Sequence, residues 1–272
     1  MSTKALNHFL ILAPILVFSI VGLFLSGDVM SSSSCTNTYV AESEVTSCIS
    51  ASSTNQAYIF FHGFPGNVKN EDVAEIFSDQ FKADTYLLHY RGLGKLDGSF
   101  SFTSAIEEAL QLTRRVTEKY KTVHLFGHSF GGLVAIIAAN EVGSKLGKLV
   151  LASPLTALPD NSTLAEIVKP FLSAPPSLFG VQGLEAILAD LDAVRNQYKL
   201  SGIAGSLNLK PGQLVVIQAS NDAEVPAEQT RQFLEFFSTP PKYRELNQTH
   251  AFPDRQSFLK TLLDELKGSN CG

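Results

Sequence analysis

Ser129 is the side chain best placed to act as a nucleophile. It stands at the centre of Gly127-His128-Ser129-Phe130-Gly131, a G-x-S-x-G arrangement whose glycines let a strand and a helix close tightly around an exposed hydroxyl. Such a hydroxyl attacks poorly until a base takes its proton. Six histidines compete for that task. His8 precedes an apolar N-terminal run, His62 and His89 end runs that read as strands, His124 lies inside another, and His128 directly precedes the serine. For His124 and His128 the expectation is a packed or hydrogen-bonded ring. His250 alone comes late, in Gln248-Thr249-His250-Ala251, and is the expected base. A base needs an acid to orient it and to stabilise the imidazolium. Ser220-Asn221-Asp222-Ala223-Glu224-Val225-Pro226 follows the apolar run Val215 to Ala219. Asp222 is therefore the expected acid, with Glu224 its nearest rival and a plain turn or cap residue the bland alternative.

Charge developing on an attacked carbonyl oxygen also needs donors. One is expected from the backbone N–H of Phe130, at the N-terminus of the helix after Ser129. The second is expected from Phe64, in the loop His62-Gly63-Phe64-Pro65-Gly66.

The elements that must position these groups alternate. Ala57 to Phe61 is a continuous apolar run, as expected for a strand covered on both faces. Then follow a helix from about Glu71 to Phe81, a strand at Thr85 to Tyr90, a helix over Ser101 to Tyr120 and a strand at Thr122 to Phe126. A helix from Gly131 to about Glu141 and a strand at Lys148 to Ala152 continue the pattern. It implies a mostly parallel central sheet with helices on both faces. Pro154 to about Leu209 breaks it with Pro159, Pro170, Pro175 and Pro176 among short helical stretches such as Leu184 to Tyr198, which reads as a helical cap insertion. Gln213 to Ala219, Ala227 to Phe237, Tyr243 to Leu246 and Phe258 to Lys267 resume strand, helix, strand, helix. The expected organisation is an N-terminal signal peptide or membrane anchor over 1–30, a Ser/Thr-rich linker and first strand region over 31–56, a core over 57–153 and 210–268, and a cap over 154–209. Within 31–56 the linker runs to Asn37, a weak strand spans Tyr39 to Val45, and Ser50 to Gln56 is a turn.

Composition bounds the rest. The 272 residues carry a net charge of -5 and 44% hydrophobic residues, which suits one globular core and offers no basic surface to nucleic acid. Phe9 to Leu25 is uncharged and apolar, at the short limit for a transmembrane helix and slightly long for a signal-peptide core. Lys4 before it and Asp28, Glu42 and Glu44 after it send the body across the membrane. The expected location is membrane-anchored or secreted, with the folded domain on the non-cytoplasmic side. Of the three cysteines, Cys35 could pair with Cys48, Cys271 with either, or all three stay reduced. No spacing suggests a metal or redox site, and no cofactor is expected.

His62-Gly63-Phe64-Pro65-Gly66, Tyr90-Arg91-Gly92-Leu93-Gly94, the turn at Ser129, Asp222 with Val225-Pro226, and His250 together resemble the α/β-hydrolase superfamily over about Ala57 to Lys267. The chain order Ser, acid, His matches that fold. Its single-glycine loop is similar to monoacylglycerol-lipase-like and peptidase-S33-like members. Lys95 departs from their pattern, where arginine and then serine are common. The resemblance implies the α/β-hydrolase fold and a triad of Ser129, Asp222 and His250, but names no substrate. The leading expectation is a serine hydrolase cleaving a small-molecule acyl ester or monoacylglycerol, with Phe171, Leu178, Phe179 and Leu184 of the cap as candidate pocket residues. An aminopeptidase would need a cap carboxylate for the substrate ammonium, drawn from Glu166, Glu185, Asp190 and Asp192. A thioesterase or acyltransferase would use the same triad, and a catalytically silent binding member of the fold is the non-enzyme alternative.

Overall fold

In the computed structural model, residues 34–51, 55–64, 71–93, 98–172 and 183–267 are described. Their first element is a hairpin, β1 (Ser34–Val40) and β2 (Ser43–Ile49), paired antiparallel with Cys35 opposite Cys48 and a disulfide joining the two. This corrects the expected linker and single weak strand, because the turn at Ala41-Glu42 falls inside Tyr39 to Val45. Ala41 takes a φ of 51° there. The cause of the misreading is physical: β1 is an edge strand exposed along nearly its whole length, so its Ser, Thr and Asn side chains need no apolar alternation. Cys271 and Phe9 to Leu25 lie outside the described residues, as do Pro65, Gly66, Gly94, Lys95, Leu178, Phe179 and the side chain of Phe171. No helix among the described residues is long and apolar enough to cross a membrane.

The alternation then runs as the sequence implies. The elements are β3 (Gln56–Phe61), α1 (Glu71–Phe81), β4 (Asp84–His89), α2 (Phe102–Lys119), β5 (Thr122–His128), α3 (Phe130–Val142) and β6 (Leu146–Ala152). Three helices follow without a described strand between them: α4 (Asn161–Leu172), α5 (Leu184–Gln197) and α6 (Leu200–Ser206). The chain continues through β7 (Leu214–Ala219), α7 (Ala227–Leu234), β8 (Lys242–Leu246) and α8 (Arg255–Lys267). The sheet order is β1-β2-β4-β3-β5-β6-β7-β8. From β4 to β8 all neighbours pair parallel, and β2 joins β4 antiparallel.

The run of apolar residues in β3 is explained by its two faces. Ala57, Ile59 and Phe61 enter the core shared with α2, α3, α5 and α7, whereas Tyr58 and Phe60 enter the core shared with α1 and α8. Burying each large side chain contributes roughly 1.5–3 kcal/mol, so the strand cannot slip by one residue without exchanging both sets. Helix α3 is apolar on every side and almost wholly buried, as a helix in the middle of a layer must be. Helix α2 starts at Ser101, whose side chain accepts the Ser104 N–H at 3.1 Å. The Asp190 carboxylate of α5 accepts the N–H groups of Phe102 and Thr103 at 2.6 and 3.3 Å. An anion at a helix N-terminus is favourable, and here it fastens α5 to the body.

Candidate active site

The turn between β5 and α3 forces Ser129 into a backbone conformation that a side chain-bearing residue rarely adopts, with φ 54° and ψ -121°. Such strain costs on the order of 1–3 kcal/mol and persists only where neighbours over-determine it. Here they do. The Ser129 N–H donates to the Ala152 carbonyl at 3.1 Å, and its carbonyl accepts from the N–H groups of Gly132 and Leu155, both at 2.8 Å. Gly131 is needed because a Cβ there would stand 2.0 Å from the Phe61 carbonyl oxygen. A Cβ on Gly63 would stand 3.0 Å from the Ser129 Cβ, so the loop after β3 passes directly beside the serine. That approach brings the Gly63-Phe64 segment and the Phe130 end of α3 to the same place. The Phe64 ring packs on Phe100 and Phe102 at centroid distances of 5.0 and 5.5 Å.

His250 and Asp222 meet as expected. Nδ1–H of His250 donates to Asp222 Oδ2 at 2.7 Å, and both side chains are buried. Asp222 Oδ1 accepts the N–H groups of Glu224 and Val225 at 2.9 and 2.8 Å. Burial alone would raise the Asp222 pKa. Hydrogen bonds from His250, the Val225 N–H and the Ser153 hydroxyl outweigh burial and hold the carboxyl below the ordinary range. Glu224, the rival acid, lies on the other side of the ring: its mostly exposed carboxylate is 3.7 Å from His250 Nε2. The two loops are also tied by their backbones, Asn221 N–H to Gln248 O at 3.0 Å and Ser220 N–H to Leu246 O at 2.8 Å.

The partners of three supporting residues escape a reading of the sequence. His128 Nε2–H donates to the His250 carbonyl at 2.9 Å, so the hydrogen-bonded ring expected there holds the loop that carries His250. Burial, with His250 nearby, pushes the His128 pKa down to about 4, which keeps the ring a neutral donor. Ser153 is fully buried at φ 37°, and its Oγ accepts the Ala219 N–H at 3.1 Å. Gln218, also fully buried, donates to the carbonyls of Ala219 and Val225 at 3.1 and 3.0 Å and accepts from the Thr230 hydroxyl at 2.8 Å. It thereby closes the loop that carries Asp222. Its one signal in sequence is a polar residue inside the apolar strand Leu214–Ala219.

The other described histidines are committed elsewhere. His62 Nδ1–H donates to the Gly63 carbonyl at 2.7 Å, and burial pushes its pKa down to about 4. His89 Nε2 is 2.8 Å from Thr46 Oγ1. His124 stacks on Tyr58 at 4.3 Å, far from the turn at the other end of β5. Among the four carboxylates available for a substrate ammonium, Asp190 holds the start of α2, Asp192 pairs with Arg195, and Glu166 pairs with Lys169. Leu184 packs against the main core. No group of three or more metal-ligating side chains is gathered among the described residues.

Residues 58–259 match the family model described as Alpha/beta hydrolase family. The Alpha/beta hydrolase domain-containing protein WAV2 of Arabidopsis thaliana is 27% identical over 119 residues, which cover 42% of this chain and 38% of WAV2. The chain thus spans well under half the length of that relative. Among solved structures, Est1E from Butyrivibrio proteoclasticus, with ferulic acid bound, superposes with a TM-score of 0.63 at 15% identity. The match covers 85% of this chain and 97% of Est1E. The monoacylglycerol lipase of Paleococcus ferrophilus gives a TM-score of 0.56 at 18% identity, over 77% of this chain and 93% of the lipase. At these identities the structural likeness speaks for the fold alone.

Proposed function

Because the chain belongs to the α/β-hydrolase family, we propose that it is a serine hydrolase that cleaves carboxylic esters through an acyl-enzyme on Ser129. The observation that carries this reading is the 2.7 Å bond from His250 Nδ1–H to Asp222, in a site where the strained Ser129 is held by three backbone hydrogen bonds. With Nδ1 protonated by that bond, Nε2 is left with the lone pair that a general base requires. His250 takes the Ser129 proton as Oγ adds to the ester carbonyl. The N–H groups of Phe64 and Phe130 receive the developing oxyanion. Collapse returns the proton to the leaving alcohol and leaves the acyl group on Oγ. Water, deprotonated in turn by His250, then releases the acid and restores the serine. Asp222 remains a carboxylate throughout and offsets the imidazolium charge.

The helices α4 to α6 serve in this reading as a cap beside the site. The disulfide Cys35–Cys48 supports a working location outside the reducing cytoplasm. We assign the segment Phe9 to Leu25 the role of delivering or anchoring the domain there.

The test is labelling by a fluorophosphonate probe, with p-nitrophenyl esters compared against aminoacyl-naphthylamides and Ser129→Ala as control. Labelling and ester turnover that both vanish in Ser129→Ala support the proposal. Dominant amide turnover moves the assignment to an aminopeptidase. A folded chain that neither labels nor turns over ester sinks the enzyme reading.

A further inference from the structure

Two carboxylates face the ring of His250, from opposite sides. The Asp222 side chain is fully buried and meets Nδ1 at 2.7 Å. Glu224 Oε2 stands 3.7 Å from Nε2, on a side chain that is 71% exposed. That carboxylate has no other partner among the described residues. Its approach is built into the loop. Asp222 Oδ1 accepts the N–H groups of Glu224 and Val225 at 2.9 and 2.8 Å, and the Val225 carbonyl accepts from Gln218 at 3.0 Å. Asp222 and Val225, on either side of Ala223 and Glu224, are both buried. The carboxylate that orients the base therefore also fixes the backbone from which Glu224 projects.

Orienting the base does not explain Glu224. With Nδ1–H given to Asp222, neutral His250 presents a lone pair at Nε2, and a lone pair does not hold a carboxylate. When the ring is protonated, Asp222 already offsets its charge from bonding distance. The charge of Glu224 is thus left to meet whatever else stands on the Nε2 side. In ester cleavage that is the leaving alcohol, whose oxygen must come within about 2.6–3.2 Å of Nε2 to collect its proton. Leaving group and Glu224 are then neighbours around one nitrogen atom.

Resting on the serine-hydrolase reading above, we infer that Glu224 selects the leaving group and favours esters of a cationic alcohol. The class is an amino alcohol, quaternary or protonated, with its nitrogen two carbons from the ester oxygen. A positive centre at that spacing turns from Nε2 toward the Glu224 carboxylate, whereas an anionic alcohol is repelled there. Because Glu224 is exposed, water weakens the pair: two unit charges about 4 Å apart in water attract by about 1 kcal/mol, which is about fivefold in kcat/KM.

The experiment compares acetylcholine with 3,3-dimethylbutyl acetate, which has the same shape without the charge, as a ratio of kcat/KM values within each protein. The charge also alters the ester's own reactivity, so the readout is the change of that ratio between proteins. A change in His250 alone moves both esters together and cancels. Glu224→Gln should lower the ratio about fivefold, and Glu224→Lys should lower it further. Raising the salt from about 0.01 M to about 1 M should lower it in wild type and much less in Glu224→Gln. Asp264→Asn, which removes an exposed carboxylate of α8, should leave it where it was. A ratio that both Glu224 variants leave unchanged overturns the inference, as does an equal fall in Asp264→Asn. So does a wild type that a fluorophosphonate labels at Ser129 but that hydrolyses neither ester. Turnover that survives Ser129→Ala, or a folded chain that does not label, removes instead the reading beneath it.

Discussion

His124 and His128 sit four residues apart on the same strand, are both buried, and both have their pKa pushed down to about 4, chiefly by burial. Their polar accounting differs. At the C-terminal end of β5, His128 uses Nε2–H to hold the carbonyl of His250. At the N-terminal end, His124 lies flat on Tyr58 with both ring nitrogens unpartnered among the described residues. Equal burial thus accompanies opposite roles. Around Ser129, His250 and Asp222 nearly every buried polar atom is matched by a donor or acceptor from another element. At the other end of the strand a histidine is tolerated as an aromatic plate. A lowered pKa by itself separates nothing; the hydrogen bonds do.

The sharpest way to test that contrast is at the acid. Asp222→Asn keeps the shape but removes the charge that fixes the His250 tautomer, and kcat for ester cleavage should fall about 10³–10⁴-fold, read by steady-state kinetics at constant probe accessibility. Next in size is the pH dependence of stability. His62, His124 and His128 each titrate near 4 when folded, against about 6.5 in an unfolded chain. The unfolded state binds the protons first, so their contribution is whole above about pH 6.5 and is lost as pH falls toward 4. Unfolding free energies from urea titrations across that window should decline by up to about 1.4 kcal/mol per pH unit for each histidine.

At the site end, His128→Phe leaves the His250 carbonyl without its donor. We expect kcat to drop about tenfold with KM unchanged; a change in KM alone would place the effect in binding instead. Ser153 separates hydroxyl from backbone. Ser153→Ala and Ser153→Gly both remove the hydroxyl beside Asp222 and should lose kcat alike. Glycine also relieves the φ of 37°, so Ser153→Gly should be the more stable by about 1 kcal/mol, as thermal melts of the two would reveal. The smallest effect belongs to the far end of the strand. His124→Phe keeps the stack on Tyr58, discards two unpaired nitrogens, and should leave kcat untouched while raising stability by about 1 kcal/mol at neutral pH. It should also remove one histidine's share of the acid slope.

Much of the site was legible because its parts are local patterns. The turn around Ser129 announces itself by glycines flanking a serine between a strand and a helix, and Asp222 and His250 each follow a strand at the right point in chain order. The hairpin at Ser34–Ile49 was not legible. An edge strand facing water carries no apolar alternation, and its polar residues read as linker. Ser153 and Gln218 were hidden for a related reason: a buried polar residue has meaning only through its partners, and theirs lie on other strands and on α7.

The amino-acid sequence by itself determined the alternating strands and helices and the tight turn at Ser129, and it singled out Asp222 and His250 as candidates, since each of these readings depends on residues close together in the chain. Tertiary structure decided what the chain cannot encode locally. It set Asp222 on Nδ1 of His250 and Glu224 on the Nε2 side, joined Cys35 to Cys48, and gave the His128 ring the His250 carbonyl as its partner. Hydrogen-bond direction and cavity shape arise only where distant segments meet, and the packing of the two cores fixes where that is.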